Sequence, residues 1–297
     1  MTTLGKMRRT LVDSFLTSRF GEGVNHGFTT QANHQQTPER QKRTRALASH
    51  NLMNLSIELV PRSLEALETD LADLNTHFPQ LDTVNIPDLL RFKMRSWHAC
   101  HKAKTHMRRA IPHLRAIDVN PDKPLTVAPF LQKHGLDEIL IVAGDAPSDM
   151  SRTVYDSTTP EVIRRFKAEM PGIKVYAALD PYRQNFVREL AYAEEKLAAG
   201  AVGLFSQPFF DLRLMAVYRE LLAGVPVYWG VTPVTSKRSL GYWRNRNKAV
   251  FPGDFEPTLE WCQNLARDAL EFAHQHDTNL YFMPIRTSPV EFLRGVL

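Results

Sequence analysis

After about residue 50, short runs of Val, Ile, Leu and aromatic residues alternate with longer segments in which apolar residues recur at helical spacing. Short runs that are apolar on both faces are typical of buried parallel strands. The pattern predicts eight strands: Leu55–Val60, Thr83–Ile86, Ile111–Ile117, Glu138–Ala143, Lys174–Leu179, Val202–Ser206, Val225–Val231 and Leu280–Met283.

Segments of helical length separate these strands. They cover residues 63–77, 88–109, 122–135, 158–170, 184–199, 211–223 and 257–275, and a short tail helix near Pro289–Gly295 completes the set. The clearest helical pattern is Val187–Ala199, which places most apolar residues on one broad face and Glu189 and Lys196 on the opposite, polar face. Gly200 is expected to end this helix, since glycine is favoured just after a helix terminus.

Eight alternating strand and helix units predict an α/β fold, a (β/α)8 TIM barrel. An open doubly wound sheet is the structural alternative, but no strand is followed by a G-x-G-x-x-G turn or a G-x-x-x-x-G-K-[ST] loop. The sequence therefore predicts one catalytic barrel domain over residues 51–297, preceded by a basic and polar N-terminal extension over residues 1–50.

Charge and composition are those of an ordinary globular protein and disfavour some functional classes. The 297 residues are 43% hydrophobic with a net charge of +5, which is ordinary for a globular chain. Residues 1–50 hold eight Lys or Arg against three acidic residues, so the rest of the chain is balanced and a nucleic-acid role is disfavoured. No apolar run is long enough for a membrane helix. The two cysteines suggest no disulfide scaffold, which favours the cytoplasm.

Polar residues at the predicted strand ends are the candidates for chemistry, because barrel enzymes place their catalytic groups there. Glu58 is the most informative of them, since its apolar neighbours predict a carboxyl with a raised pKa that is suited to general acid catalysis. A salt bridge to Arg62 or to another buried cation is the structural alternative. The other candidates are His113, Asp118, Asp145, Asp180, Arg183, Gln207, Thr232 and Thr235.

Two further segments carry less specific signals. The spacing of His98, His101 and His106 indicates a solvated helix rather than a metal site, because no matching carboxylate accompanies them. The basic segment Gly241–Val250 follows the seventh strand, where it could meet an anionic group of a ligand, such as a nucleotide phosphate, or remain a solvated loop.

Five short motifs occur in order along the predicted strands. They are Glu58 on the first strand, Pro112-His113-Leu114 on the third, Gly144-Asp145 after the fourth, the block from Lys196 to Asp211 around the sixth, and Gly230 to Val234 on the seventh. Over residues 55–286 this arrangement resembles the methylenetetrahydrofolate reductase family. The most specific block reads K-L-A-A-G-A and then S-Q-P-F-F-D.

The resemblance implies reduction of 5,10-methylenetetrahydrofolate to 5-methyltetrahydrofolate with NAD(P)H, through FAD, in one-carbon metabolism. The implied catalytic residues are Glu58 as the acid, with Asp145 and Gln207. The implied flavin contacts are Asn85, His113, Asp145, Ala178, Arg183 and Lys196. The implied folate contacts are Gln207, Phe210, Thr232 and Arg286, and no metal is implied. The expected partners are the folate and NAD(P)H, with a homo-oligomer left open.

The chain departs from the family pattern mainly on the flavin side. Ala143 replaces the arginine of the fourth-strand turn, Asn85 replaces a threonine, and Lys237 replaces an aromatic residue; the fifth-strand block also lacks the usual tyrosine and histidine. Three alternatives therefore stay open: direct hydride transfer from NAD(P)H without flavin, a non-redox folate-binding methyltransferase barrel, and a barrel that has lost catalysis and serves as a binding partner.

Overall fold

Eight parallel strands close into a barrel in the computed structural model, which describes residues 53–146 and 153–297. Each strand pairs with the next, and β8 pairs with β1, so the predicted (β/α)8 TIM barrel is confirmed. The predicted extension over residues 1–50 lies outside the described residues. The strands are β1 (Leu55–Glu58), β2 (Thr83–Ile86), β3 (Arg109–Arg115), β4 (Glu138–Val142), β5 (Lys174–Leu179), β6 (Gly203–Pro208), β7 (Val227–Val231) and β8 (Asn279–Phe282).

Helices follow the strands around the outside. Side-chain caps begin several of them, as at Ser63 and at Thr158, where a complete capping box forms with Glu161. The helices are α1 (Leu64–His77), α2 (Ser96–Ala103), α3 (Ala128–Lys133), α4 (Thr159–Glu169), α5 (Phe186–Ala198), α6 (Leu212–Leu221), α7 (Lys237–Gly241), α8 (Leu259–Gln275) and α9 (Pro289–Leu293). A 3-10 turn at Ala116–Asp118 follows β3, and a π-helical turn at Tyr242–Arg246 follows α7.

The predicted helix over residues 88–109 is much shorter than expected. It is confined to α2, because Asp88 accepts a hydrogen bond from the backbone N–H of Ser96 at 3.2 Å and pairs with Arg95. These contacts hold residues 88–95 as a loop. Arg109, expected at the helix end, already belongs to β3.

The predicted orientation of α5 is wrong. Glu189 and Lys196 are buried, at 1% and 4% exposure, whereas Val187 is 76% exposed. The reason is an ion pair: the Lys196 Nζ atom lies 3.7 Å from the Glu189 carboxylate and donates to the Ala178 carbonyl oxygen at 2.7 Å. Pairing thus lets two charged groups pack against the end of β5. Gly200 ends the helix as predicted, with φ of +115°.

The barrel interior has an aromatic middle and a polar base. The middle consists of Ile111, Leu140, Tyr176, Phe205, Tyr228, Tyr281 and Met283. At the amino-terminal end of the strands, Arg109 donates to the Glu138 carboxylate at 2.6 Å and to the hydroxyls of Tyr176 and Tyr228. The middle of the barrel is therefore filled, whereas a pocket remains at its base beside Arg109 and Glu138. In barrels of this kind the functional groups lie at the carboxyl ends of the strands.

Helices that could span a membrane are absent from the two described ranges: none is both long and apolar enough.

Candidate functional site

Glu58 is the last residue of β1 and lies largely buried at the carboxyl end of the barrel. Its carboxylate accepts a hydrogen bond from the Tyr281 hydroxyl on the neighbouring strand β8. Burial raises the pKa of Glu58 to about 7, although the bond from Tyr281 opposes the shift. The described residues give Glu58 no cationic partner, so the alternative of a salt bridge to Arg62 has no support in the described contacts. A carboxyl group in this state can deliver a proton near neutral pH.

A hydrogen-bonded chain runs beside Glu58 across β1, β2 and β3. Asn85, which stands next to Glu58 in the strand register, donates from Nδ2 to Ser56 Oγ at 2.7 Å. Its Oδ1 atom lies 2.9 Å from His113 Nε2. Burial lowers the pKa of His113 to about 3, so the imidazole is neutral. Because Nε2 must donate to Asn85 Oδ1, Nδ1 is left as a hydrogen-bond acceptor.

The turn after β4 holds Asp145 through its backbone. Arg115 at the end of β3 donates from Nη2 to the Asp145 carbonyl oxygen at 2.6 Å. Gly144 makes this approach feasible, because it has φ of +87° and an added Cβ would lie 2.8 Å from Arg115 Nε. The Asp145 residue is exposed at the barrel mouth. A guanidinium from β3 therefore supports the turn that lacks an arginine at position 143.

The end of β5 is organised by buried charges. Burial lowers the pKa of Lys196 to about 8, with Glu189 opposing the shift. Glu189 also accepts from the Asp180 backbone N–H at 3.0 Å and from Gln184 Nε2 at 2.9 Å. Lys196 thus fixes the Ala178 backbone and the loop after β5, while Arg183 in that loop is exposed.

Gln207 lies near the end of β6, where the pairing with β7 shifts its register between Phe205 and Pro208. Gly230 permits the close approach, since an added Cβ there would lie 2.7 Å from the Ser206 carbonyl oxygen. Such bulges redirect side chains, and they are common beside active sites. Ser206 is buried, whereas the Gln207 side chain is exposed at the barrel mouth. Its amide can both donate and accept hydrogen bonds.

Comparison with known protein families identifies the family of this barrel. The family model described as methylenetetrahydrofolate reductase matches residues 54–271, which is most of the chain and nearly all of the barrel. The chain belongs to the methylenetetrahydrofolate reductase family.

Solved structures agree with this family barrel at the level of fold. An uncharacterized protein from Clostridium thermocellum, described as binding two copies of 5-methyl-5,6,7,8-tetrahydrofolic acid, has a TM-score of 0.57 at 12% identity, with 85% of this chain and 96% of that chain covered. A 2,3-dimethylmalate lyase of the PEP mutase/isocitrate lyase superfamily has a TM-score of 0.52 at 10% identity, covering 84% and 81%. At these identities the likeness shows the fold alone.

In this member of the methylenetetrahydrofolate reductase family, two of the expected folate contacts are buried and a third is exposed. Phe210 is buried and stacks on Phe251 with ring centroids 4.2 Å apart, so its position suits packing. Thr232 is buried and donates to the Met283 carbonyl oxygen at 2.7 Å, which joins the ends of β7 and β8. Arg286 is exposed in the loop after β8, where its φ of +61° is uncommon for a residue with a side chain.

Three residues of the site were not predicted from the sequence. Tyr281 lies two residues after Asn279 in β8, so the alternation of the strand predicts that both face the barrel interior. The sequence gives no sign that Tyr281 contacts Glu58. Glu189 was assigned to the wrong helix face, and Arg115 is sequence-distant from the turn that it supports. Across residues 53–146 and 153–297, no group of three or more His, Cys, Asp or Glu side chains is arranged to hold a metal ion.

Proposed function

We propose that the protein reduces 5,10-methylenetetrahydrofolate to 5-methyltetrahydrofolate, with NAD(P)H as the source of hydride. The observation that carries this proposal is the largely buried carboxyl of Glu58 at the barrel mouth, with a pKa of about 7 and a hydrogen bond from Tyr281. Membership of the methylenetetrahydrofolate reductase family supports the substrate class, and so does the folate bound by the structural relative from Clostridium thermocellum.

Protonated Glu58 is the acid of the reaction. The methylene carbon bridges two nitrogens of the folate, and the proton goes to the nitrogen whose bond to that carbon breaks. The remaining nitrogen and the methylene carbon then form an iminium cation. Hydride adds to this carbon and completes the methyl group, so that one proton and one hydride are consumed per turnover.

The cationic intermediate needs negative charge and a fixed orientation. Asp145 is exposed on the turn held by Arg115, where its carboxylate can balance the charge that develops on the folate. The Gln207 amide is exposed at the end of β6, and it matches the alternating donors and acceptors of a pterin edge. Arg286 is an exposed cation at the same end of the barrel, suited to a folate carboxylate, while Phe210 and Thr232 support the strand ends.

We assign FAD as the cofactor, because the donor groups at the ends of β2, β3 and β5 suit it. When bound, FAD supplies a two-electron carrier between the nicotinamide and the folate. His113 offers Nδ1 as a hydrogen-bond acceptor for a ring edge, and the buried Asn85 holds this imidazole through its Oδ1 atom. The side chain of Ala178 is only a methyl group. Arg183 is an exposed cation suited to a phosphate.

Direct hydride transfer from NAD(P)H to the folate is the second version of the same activity. It is favoured by one observation: Lys196, an expected flavin contact, is already bonded to Ala178 and paired with Glu189. Both versions require the same acid, Glu58. An absorbance scan of the purified protein, with an FAD titration, separates them, because only the first version gives a stoichiometric flavin band.

The variant Glu58→Gln tests the proposed activity. We expect turnover to fall by about two orders of magnitude or more, whereas folate binding is retained, since the side-chain shape is kept and only the proton is lost. Turnover and the folate dissociation constant are measured on the same preparation. Near-normal turnover would remove Glu58 from the mechanism.

We also propose that the protein acts in the cytoplasm. Cys100 and Cys262 are both buried free thiols, which supports a reducing compartment.

A further inference from the structure

A second cavity lies outside the barrel, between α1, α2 and α3, with a volume of about 570 Å³. Its lining contains four Lys or Arg residues and three histidines but no Asp or Glu: Arg62, Ser63, Leu64, Arg91, Phe92, Lys93, Met94, His98, His101, Lys102, Phe130 and His134. The pocket at the base of the barrel differs, because its lining contains Glu138 and Asp277 beside its cations.

The cations of this basic cavity have no acidic partners. Arg62, Arg91, Lys93 and Lys102 are exposed at the rim of the cavity, and none of them forms an ion pair within the described residues. The cavity also contains Ser63, the N-cap of the 14-residue helix α1, so the positive end of the helix dipole faces it. A concave site with uncompensated positive charge attracts anions.

The rings of the cavity give it a fixed shape. His98 contacts Phe130 edge-on with centroids 4.7 Å apart, and His134 lies 4.0 Å from His101 and 4.2 Å from Phe130. Arg91 lies over the ring of Phe92 at 4.9 Å. Of the three histidines predicted on a solvated helix, His98 and His101 line this pocket and His106 does not.

The cavity belongs to the same end of the barrel as Glu58. Arg62 and Ser63 follow β1, the strand that ends in Glu58, and residues 91–94 follow β2, the strand that carries Asn85. We propose that the basic cavity is a binding site for a small, flexible polyanion with several carboxylate or phosphate groups. Two sources fit this chemistry: the glutamate tail of a folate, and a free polyphosphate. Binding itself is independent of the proposed reductase activity.

Calorimetric titration of the full chain with tripolyphosphate and with an oligo-γ-glutamate tests the proposal. We expect both ligands to bind, and the double variant Lys93→Gln with Lys102→Gln to bind them at least about fivefold more weakly. The control is the variant Lys123→Gln with Arg164→Gln, which removes the same charge from exposed positions outside the cavity and should bind like the wild type. No binding to the wild type, or equal loss in both variants, would overturn the proposal.

Kinetics separate the two sources of the polyanion. If the folate tail occupies the cavity, lengthening the tail lowers KM in the wild type and in the control variant, but not in the cavity variant, and kcat is unchanged. If a free polyphosphate is the ligand, tail length has no effect, and the calorimetric difference between the variants remains. A protein without reductase activity would still give the calorimetric result, so the two proposals fail separately.

Binding should also depend on pH. The charged groups that line the cavity with the three histidines are all cations: Lys102 on α2, Arg62 after β1, and Arg91 and Lys93 after β2. Lys133 on α3 adds a further positive charge near His134. Burial, followed by His101, Lys133 and His98, holds the pKa of His134 below its usual value. A bound polyanion reverses this effect and favours the protonated His134 ring, so we expect tighter binding at about pH 6 than at about pH 8. Equal affinity at both values would remove His134 from the site.

Discussion

At the level of single residues, the proposed chemistry rests on the Glu58 carboxyl and on two opposing influences on its pKa. Burial raises this pKa, and the Tyr281 hydroxyl lowers it by stabilising the carboxylate. The balance near 7 leaves a substantial protonated fraction at neutral pH. In the proposed mechanism, Tyr281 is a positioning residue whose hydroxyl also lowers the pKa of the acid.

The raised pKa of Glu58 has a consequence for stability. The folded state holds this proton more tightly than the unfolded state, whose pKa is near 4.5. The resulting stability is fully present below the unfolded pKa and is lost as pH rises through about 7. We therefore expect Glu58→Gln to gain stability relative to wild type between about pH 5 and pH 8, by an amount on the order of 2 kcal/mol. Denaturant unfolding of both proteins at the two pH values measures this gain. The same difference in free energy of unfolding between variant and wild type at both pH values would contradict it.

Tyr281→Phe tests the tuning of the acid. Without the hydroxyl, the pKa of Glu58 should rise above about 7, since the lost hydrogen bond had lowered it. Because kcat should fall as Glu58 loses its proton, we expect the pH profile of kcat in Tyr281→Phe to lie at higher pH than in the wild type. At low pH, kcat of the variant should stay close to that of the wild type. A shift to lower pH, or none, would show that this bond does not set the pKa of the acid.

At the level of elements, the position of each helix and turn is decided by a few polar contacts. The hydrophobic pattern located the strands well, because short runs that are apolar on both faces stand out between longer segments of helical spacing. It failed for α5, where Glu189 and Lys196 are buried as a pair, and for residues 88–95, where Asp88 holds a loop. A pattern based on polarity cannot predict a buried ion pair, because both members count as surface residues.

Gly144→Ala tests the turn that positions Asp145. Its φ of +87° disfavours any side chain, and the new Cβ would collide with Arg115. We expect a loss of about 1 to 2 kcal/mol of stability, together with slower turnover, because the Asp145 carboxylate moves. Gly172→Ala is the matched control, since an added Cβ there has no neighbour within 4 Å. Equal effects in the two variants, measured by denaturant midpoint and kcat, would contradict this role of the turn.

At the level of the whole molecule, the two ends of the barrel carry different groups of polar residues. The amino-terminal end is closed by Arg109, Glu138 and the tyrosine hydroxyls, and the carboxyl end carries the candidate site. The sequence was sufficient to predict the barrel and the end that carries Glu58, Asp145 and Gln207. It could not predict the base of the barrel, since Arg109 meets Tyr228 only after the barrel closes, across 119 positions of sequence.

Arg109→Met tests this division. Because Glu138 would remain buried with only the half-exposed Lys174 as a partner, we expect a loss of about 3 kcal/mol of stability. The values of kcat and KM should be unchanged, because the active end is remote. Arg108→Met is the control: that arginine pairs with Asp82 at the surface, and its loss should cost less than about 1 kcal/mol. If Arg109→Met kept the stability of the wild type but had a lower kcat, the separation of the two ends of the barrel would be contradicted.

The most direct test of the proposed activity is the stoichiometry of one reaction mixture that contains the purified protein, NAD(P)H and 5,10-methylenetetrahydrofolate. The oxidised nicotinamide and the folate product are quantified together over time, in the wild type and in Glu58→Gln. We predict one 5-methyltetrahydrofolate formed for each nicotinamide oxidised by the wild type, and almost none by the variant. Nicotinamide oxidation that does not require the folate, or a folate that is never converted to its methyl form, would contradict the assignment of this barrel as a reductase.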